Sequence, residues 1–210
     1  ESLDEIIKLA RISGVNTIDT AALCGNVEQR LGRAGISDWQ VVSKLRGVES
    51  NNTGLGLKEW LNNELGTTLT NLNISNLYGY LLHRPMDLTS NEGSELYRFL
   101  LDSKHQGKIE KIGYSVYSID ELEILLSKYP PDLIQIPLNI LDRKLVNSGW
   151  ASKLKDLGIE IHTRSAFLQG LLLMSEEDRP EKFNQWNSLW LSRRNLVDFN
   201  EWRTERKTKR

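Results

Sequence analysis

Apolar positions along the chain fall into two alternating rhythms. Leu3, Ile6, Ile7 and Ala10 recur at helical spacing behind a capping box, Ser2-Leu3-Asp4-Glu5, and Gly14 predicts the stop. Val15–Ala21 then reads as a short buried strand, β-branched and apolar except for Asp19. It breaks at a turn, Cys24-Gly25-Asn26, and an amphipathic helix follows to about Gly32. Trp39–Leu45 predicts a second strand with Lys44 near its end. The polar loop Gly47 to Gly56 leads into a helix marked by Leu57, Trp60, Leu61 and Leu65 that fades around Asn71. Leu77–His83 is the third predicted strand, closed by Arg84-Pro85 because proline cannot continue a ladder. A helix over Glu92 to His105, with Leu96, Phe99 and Leu100 inward, precedes a fourth strand, Ile109–Val116. Ser118-Ile119-Asp120-Glu121 is a second capping box, opening a helix that ends before Pro130-Pro131. Leu133–Leu138 and Ile159–Ala166 are the last two strands, separated by one helix carrying Leu145, Trp150 and Leu154 and ending at Gly158.

Six strands alternating with helices predict an α/β protein with a parallel sheet, either doubly wound or closed into a barrel. A doubly wound dinucleotide fold should show G-x-G-x-x-G after its first strand, and Gly54-Leu55-Gly56 lacks both the third glycine and the place. The (β/α)8 TIM-barrel type is favoured because polar residues recur at strand ends: Asp19, Lys44, His83, Ser115, Gln135 and Arg164. In a barrel such ends converge on one face. Asp19 is the pivotal residue, since an acid within a buried strand is costly unless it is paired.

Composition narrows the possibilities without choosing among them. A net charge of −1 over 210 residues offers no electrostatic attraction to nucleic acid or an anionic membrane. No apolar run approaches the roughly 20 residues that span a bilayer, and no signal peptide opens the chain. The single Cys24 precludes an internal disulfide and suits a cytoplasmic setting. The start at Glu1, inside a predicted helix, suggests a fragment. No G-x-S-x-G elbow occurs, and His83, His105 and His162 lie far apart with no metal-ligand spacing. His105 reads as solvated and His162 as chiefly structural.

The motifs carry a resemblance. Gly14-Val-Asn-Thr-Ile-Asp-Thr-Ala21 with Gly25, Glu28 and Leu31-Gly32, then Val41-Val-Ser-Lys44 and Leu81-Leu-His83-Arg-Pro85, appear in order. Gly107-Lys-Ile-Glu-Lys-Ile-Gly-Tyr-Ser115, Gln135-Ile-Pro-Leu-Asn139 and Arg164-Ser-Ala-Phe-Leu-Gln-Gly-Leu-Leu172 complete the series. Together they resemble the aldo-keto reductases, and the last stretch is most similar to a bacterial branch known simply as oxidoreductases.

The resemblance implies an incomplete (β/α)8 barrel, with the first and last strands outside the chain. Residues 1–190 would form the barrel domain and 191–210 a basic polar tail. It also implies NADPH as cofactor and a small-molecule carbonyl as substrate, with hydride passing to the carbonyl carbon while an acid protonates the oxygen. The family's Asp, Lys and His fall on Asp19, Lys44 and His83, and Ser115 and Gln135 match the carboxamide binders. Arg164 stands where many members place a stacking aromatic, and Ser165 and Leu168 join it as cofactor contacts. Two departures follow from the same comparison. Cys24 occupies the position of the proton-donating tyrosine, and a thiol reaches less far and donates more weakly than a phenol. Val116 replaces the asparagine usual after the serine, removing one carboxamide contact. The resulting expectation is an NADPH-dependent aldehyde or ketone reductase impaired at its proton donor, or else a non-catalytic relative.

Overall fold

The computed structural model describes residues 2–51, 53–175, 178 and 180. The expected tail, 191–210, lies outside them. The chain divides into two units: residues up to Ile136 together with Ala151–His162, and Pro137–Trp150 together with the described residues from Thr163 onward.

In the first unit the alternation of the sequence becomes alternation in space. Helix α1 (Leu3–Ile12) carries the expected capping box, and strand β1 (Thr17–Asp19) follows. Then come α2 (Val27–Arg33), β2 (Gln40–Leu45), α3 (Leu57–Leu72), β3 (Leu77–Leu82), α4 (Gly93–His105), β4 (Ile109–Ser115), α5 (Ile119–Leu125) and β5 (Leu133–Pro137). Strand β6 (Glu160–Arg164) crosses from the first unit into the second. The sheet runs β1-β2-β3-β4-β5-β6 in strict sequence order, with parallel pairing along β1 to β5. A doubly wound sheet reverses its direction of growth at a switch point, and this one does not. Sequential parallel growth through helical crossovers is the (β/α)8 pattern, here six strands of it.

Helices cover one face of this sheet. Trp60, Leu61, Leu65 and Leu72 of α3 and Leu96, Phe99 and Leu100 of α4 are buried, as are Tyr80 and Tyr114, which leave the sheet toward that layer. The Tyr114 hydroxyl donates to the Tyr129 carbonyl at 2.8 Å, so burial leaves its polar end satisfied. Gly32 makes the packing of α2 possible: a Cβ there would meet the Asn71 carbonyl oxygen at 2.2 Å. On the opposite face Val42, Leu81 and Leu133 form a fully buried apolar cluster. Gly113 sits between two of them, where a Cβ would lie 2.8 Å from Leu81 Cγ and 2.9 Å from the Leu133 carbonyl oxygen.

Several expected boundaries move. β1 is shorter than Val15–Ala21 because Val15 belongs to the end of α1: its N–H donates to the Ala10 carbonyl, and its side chain is exposed. At the other end the ladder outlasts the strand, with Thr20 N–H donating to Val42 and Ala22 N–H to Lys44. The single helix expected up to Gly158 is two, α6 (Lys144–Asn147) and α7 (Trp150–Asp156), parted at Gly149, whose φ of +79° no right-handed helix tolerates. After Pro85 the chain makes a 3-10 turn, Pro85–Thr89, before α4.

Among the described residues no helix is long and apolar enough to cross a membrane.

Candidate active site

Strand register brings the predicted residues to one face. Paired residues in a sheet point the same way, and so does every second residue along a strand. Asp19 pairs with Val42, and Lys44 lies two residues beyond Val42. Lys44 pairs with Leu81, and His83 lies two beyond Leu81. Leu81 pairs with Gly113, and Ser115 lies two beyond; Ser115 in turn pairs with Gln135. Asp19, Lys44, His83, Ser115 and Gln135 therefore share the face of the Val42–Leu81–Leu133 cluster and stand at its C-terminal margin.

Three of them touch. Lys44 Nζ lies 2.7 and 2.9 Å from the two carboxylate oxygens of Asp19 and donates to the Thr20 carbonyl at 2.9 Å. Gln135 Nε2 donates to Asp19 Oδ1 at 2.8 Å, across a sequence separation of 116 residues. The burial is the reverse of the sequence expectation: the Asp19 side chain is 46% exposed, whereas that of Lys44 is 8% exposed. The costly group is thus the ammonium, and three oxygens from two residues offset its desolvation. Gln135 is 3% exposed, and its Oε1 has no hydrogen-bond partner among the described residues. Ser115 is equally buried, and the His83 backbone N–H continues the ladder by donating to the Leu45 carbonyl.

Cys24 shares no hydrogen bond with this cluster. It lies in the turn between β1 and α2, exposed, with its N–H donating to the Ala21 carbonyl and its own carbonyl accepting from Val27. Its thiol makes no hydrogen bond among the described residues.

Arg164, Ser165 and Leu168 belong to the second unit. There the Arg164 carbonyl accepts from the Leu138 N–H, and Asn139 Nδ2 donates to the Ser165 carbonyl at 3.2 Å. The loop that follows is conformationally unusual: Ser165, Leu168 and Gln169 all have positive φ, at 59°, 47° and 57°. Left-handed backbone at a non-glycine residue costs about 1–3 kcal/mol, and such outliers gather at binding loops.

Two further polar groupings escaped the sequence reading. Glu28, on α2, is buried and accepts a hydrogen bond from Ser43 Oγ at 2.7 Å, tying the helix after the Cys24 turn to the strand that carries Lys44. An acid three residues before the buried Leu31, on the inward side of a short helix, is the signal that points to it. Deeper along the strands, Tyr78, Lys111, Glu160 and His162 form a network. Lys111 Nζ donates to the Tyr78 hydroxyl at 2.8 Å, the hydroxyl donates to Glu160 at 2.7 Å, and Lys111 pairs with the same carboxylate. His162 Nε2 lies 2.6 Å from the other Glu160 oxygen. Burial pushes the Glu160 carboxyl up, but hydrogen bonds from Lys111, Tyr78 and His162 outweigh it and hold the group below its ordinary range. Lys111 mirrors this: desolvation pulls it down, and Glu160 and Tyr78 raise it above its usual value. His162, expected to be chiefly structural, is occupied here; His105 is exposed at the end of α4, as expected. Among the described residues no group of three potential ligands suits a metal.

A sequential parallel sheet with a lysine–aspartate pair at its C-terminal margin is the barrel-type pattern, in which strand ends converge on one face. The profile of the Aldo/keto reductase family matches residues 1–207, and the chain belongs to that family. An uncharacterized oxidoreductase of Bacillus subtilis (strain 168), YtbE, is 29% identical over 178 residues, covering 80% of this chain and 59% of that protein. Among solved structures, the holo form of an aldo-keto reductase from Bacillus halodurans superposes with a TM-score of 0.69 at 23% identity, over 85% of this chain and 61% of that one. The aldose reductase of Giardia lamblia gives 0.60 at 21%, over 78% and 61%. The chain thus spans about three fifths of the length of these relatives.

Proposed function

We propose that this chain carries the acid–base pair and the nicotinamide end of an NADPH-dependent reductase of aldehydes or ketones. The observation behind this reading is the Asp19–Lys44–Gln135 constellation. It couples a buried cation to a carboxylate and leaves an amide oxygen unanswered on the same sheet face.

The residues fit the cofactor that the family implies. A buried amide oxygen without a donor costs about 1–3 kcal/mol, and a carboxamide N–H would recover it. Ser115 supplies a hydroxyl beside Gln135 in register, suited to the carboxamide oxygen. Arg164, Ser165 and Leu168 are the proposed contacts of the second unit, and the left-handed loop at 165–169 supports giving it a binding role. When bound, the cofactor supplies the hydride. The chain's own residues do the rest. His83 donates a hydrogen bond that orients the substrate carbonyl, as in other preorganised donor sites. Lys44, charge-paired to Asp19, stabilises negative charge developing on the carbonyl oxygen. The proton comes from Cys24, His83 or water, and the exposed, unengaged thiol supports the view that this step is impaired.

A second reading is favoured by one observation: the Cys24 thiol makes no hydrogen bond to Lys44 or Asp19 among the described residues, so the chain serves as a non-catalytic binding relative. Following NADPH oxidation with a generic aromatic aldehyde separates the two. Turnover above the uncatalysed rate that Lys44→Met abolishes supports the reductase; NADPH binding without turnover, in both the wild type and Cys24→Tyr, supports the binding protein.

A further inference from the structure

We infer that Glu28 is a positioning residue that fixes the Cys24 turn relative to Lys44, an inference that rests on the reductase reading for the importance of residue 24. The starting point is a buried acid that packing alone does not require. Glu28 is 4% exposed, and among the described residues its carboxylate has no cation partner and accepts one hydrogen bond, from Ser43 Oγ at 2.7 Å. A carboxyl group buried against one hydroxyl costs more than an apolar side chain of similar volume, because most of its lone pairs lose water without replacement. Helix α2 has other means of seating itself. Leu31 is buried, and the bare Gly32 lets the helix lie against the Asn71 carbonyl of α3.

What the acid adds is direction. Ser43 and Lys44 are consecutive on β2, so the hydroxyl leaves the sheet on the helix side and the ammonium on the site side. The turn between β1 and α2 is tied to these same two residues. At its start the Ala22 N–H donates to the Lys44 carbonyl, and past its end Glu28 accepts from Ser43. Asn26, just before α2, makes no side-chain cap, and a helix of seven residues has little stability of its own. Apolar packing resists separation but not sliding, whereas a hydrogen bond to one hydroxyl sets a register. The Glu28–Ser43 bond thus fixes the downstream end of the turn through a residue covalently joined to the lysine. Glu28 touches no reacting atom and acts through the turn.

The test uses the one thiol of the chain as a reporter. A nitroxide on Cys24 of the full chain, without ligand, should give an ordered spectrum in wild type. Glu28→Gln should match it, since the amide oxygen still accepts from Ser43. The double variant Glu28→Leu/Ser43→Ala removes acceptor and donor together and orphans neither, so its urea midpoint should equal or exceed that of wild type. Its mobile nitroxide fraction should nevertheless rise about fivefold, the equivalent of one lost hydrogen bond. In unlabelled chains, NADPH oxidation with an aromatic aldehyde should show kcat lowered about tenfold or more in the double variant and kept in Glu28→Gln. KM for NADPH should stay within about twofold, because the proposed cofactor contacts lie on other elements. An unmoved nitroxide overturns the inference, as does an unmoved kcat. A lowered urea midpoint in the double variant also overturns it, since the bond is then simply structural. Absence of turnover in wild type overturns the reductase reading, while a mobilised nitroxide in the double variant still upholds the placing of the turn by Glu28.

Discussion

The first unit contains two lysine–carboxylate groupings on its strands, and they are built differently. Around Lys111 every polar atom named is answered by another: ammonium, phenol, carboxylate and imidazole form a continuous series from Lys111 to His162. Around Lys44 the ammonium is answered, but the amide that shares its carboxylate leaves an acceptor unused, and the carboxylate itself is half exposed. A satisfied network stabilises and specifies; an unsatisfied one is costly unless something external completes it. Presence of a buried charge therefore does not by itself mark a site, and the unused acceptor beside Asp19 is what sets the Lys44 grouping apart.

The contrast breaks most sharply at Lys44. Lys44→Met removes one partner of the pair but leaves Asp19 half exposed, so it should cost about 1–3 kcal/mol, less than the roughly 3–5 kcal/mol of a fully buried orphaned charge. Any carbonyl reduction should fall by about 10²–10⁴-fold, the usual contribution of acid–base assistance. Denaturant unfolding alongside the NADPH-oxidation assay checks both halves, and lost stability with unchanged reduction would assign Lys44 a purely structural role. Next in size is the apolar floor under the site: Gly113→Ala should cost about 1–3 kcal/mol by overpacking against Leu81 and the Leu133 backbone, read as a lowered urea midpoint. Restoring a phenol with Cys24→Tyr should raise reduction by about tenfold or more at neutral pH, if residue 24 limits the proton transfer; equal rates for thiol and phenol would remove it from the chemistry.

The smallest effect belongs to the closed network. The native Glu160 carboxyl is held below its unfolded value of about 4.3, so its contribution is present above that pH and is lost as pH falls through the lowered native value. Lys111, raised in the native state, contributes fully below its unfolded value of about 10.4 and ceases to do so as pH climbs through the native one. Each side chain is roughly 30% exposed, so the pair is worth no more than about 1 kcal/mol. Acid titration of the urea midpoint should accordingly be slightly flatter in Glu160→Gln than in wild type.

Much of this architecture was legible beforehand for a definite reason. Strand order and site face both follow from periodicity, and six segments with helical spacers leave few arrangements once the phosphate-binding glycines are missing. The positions of Asp19, Lys44, His83 and Ser115 could be inferred because each lies at or within one residue of a strand end, and Gln135 because it is a polar residue inside an apolar strand. What the sequence did not disclose depends on side chains meeting across long separations. Nothing local announces that Gln135 reaches Asp19, or that Lys111 and Tyr78 share Glu160. Which partner of the Asp19–Lys44 pair is buried was equally hidden, because it depends on how far each strand end projects from the sheet. The break at Gly149 was missed because Leu145, Trp150 and Leu154 keep an apolar spacing that suits one helix as well as two.

The turn that bears Cys24 has an implication for how such proteins change over time. Asp19, Lys44 and Gln135 hold one another, so replacing any one of them disturbs the others and is felt as a loss of order. Residue 24 is hydrogen-bonded to the scaffold through its backbone N–H and carbonyl, which every amino acid but proline supplies. Folding therefore places little demand on its side chain, and position 24 can vary without a compensating change elsewhere. The same independence belongs to position 24 and not to its neighbours, since the Ala22 N–H extends the ladder to Lys44 and Gly25 has a φ of +65° that favours glycine, so new chemistry is best installed at residue 24 alone.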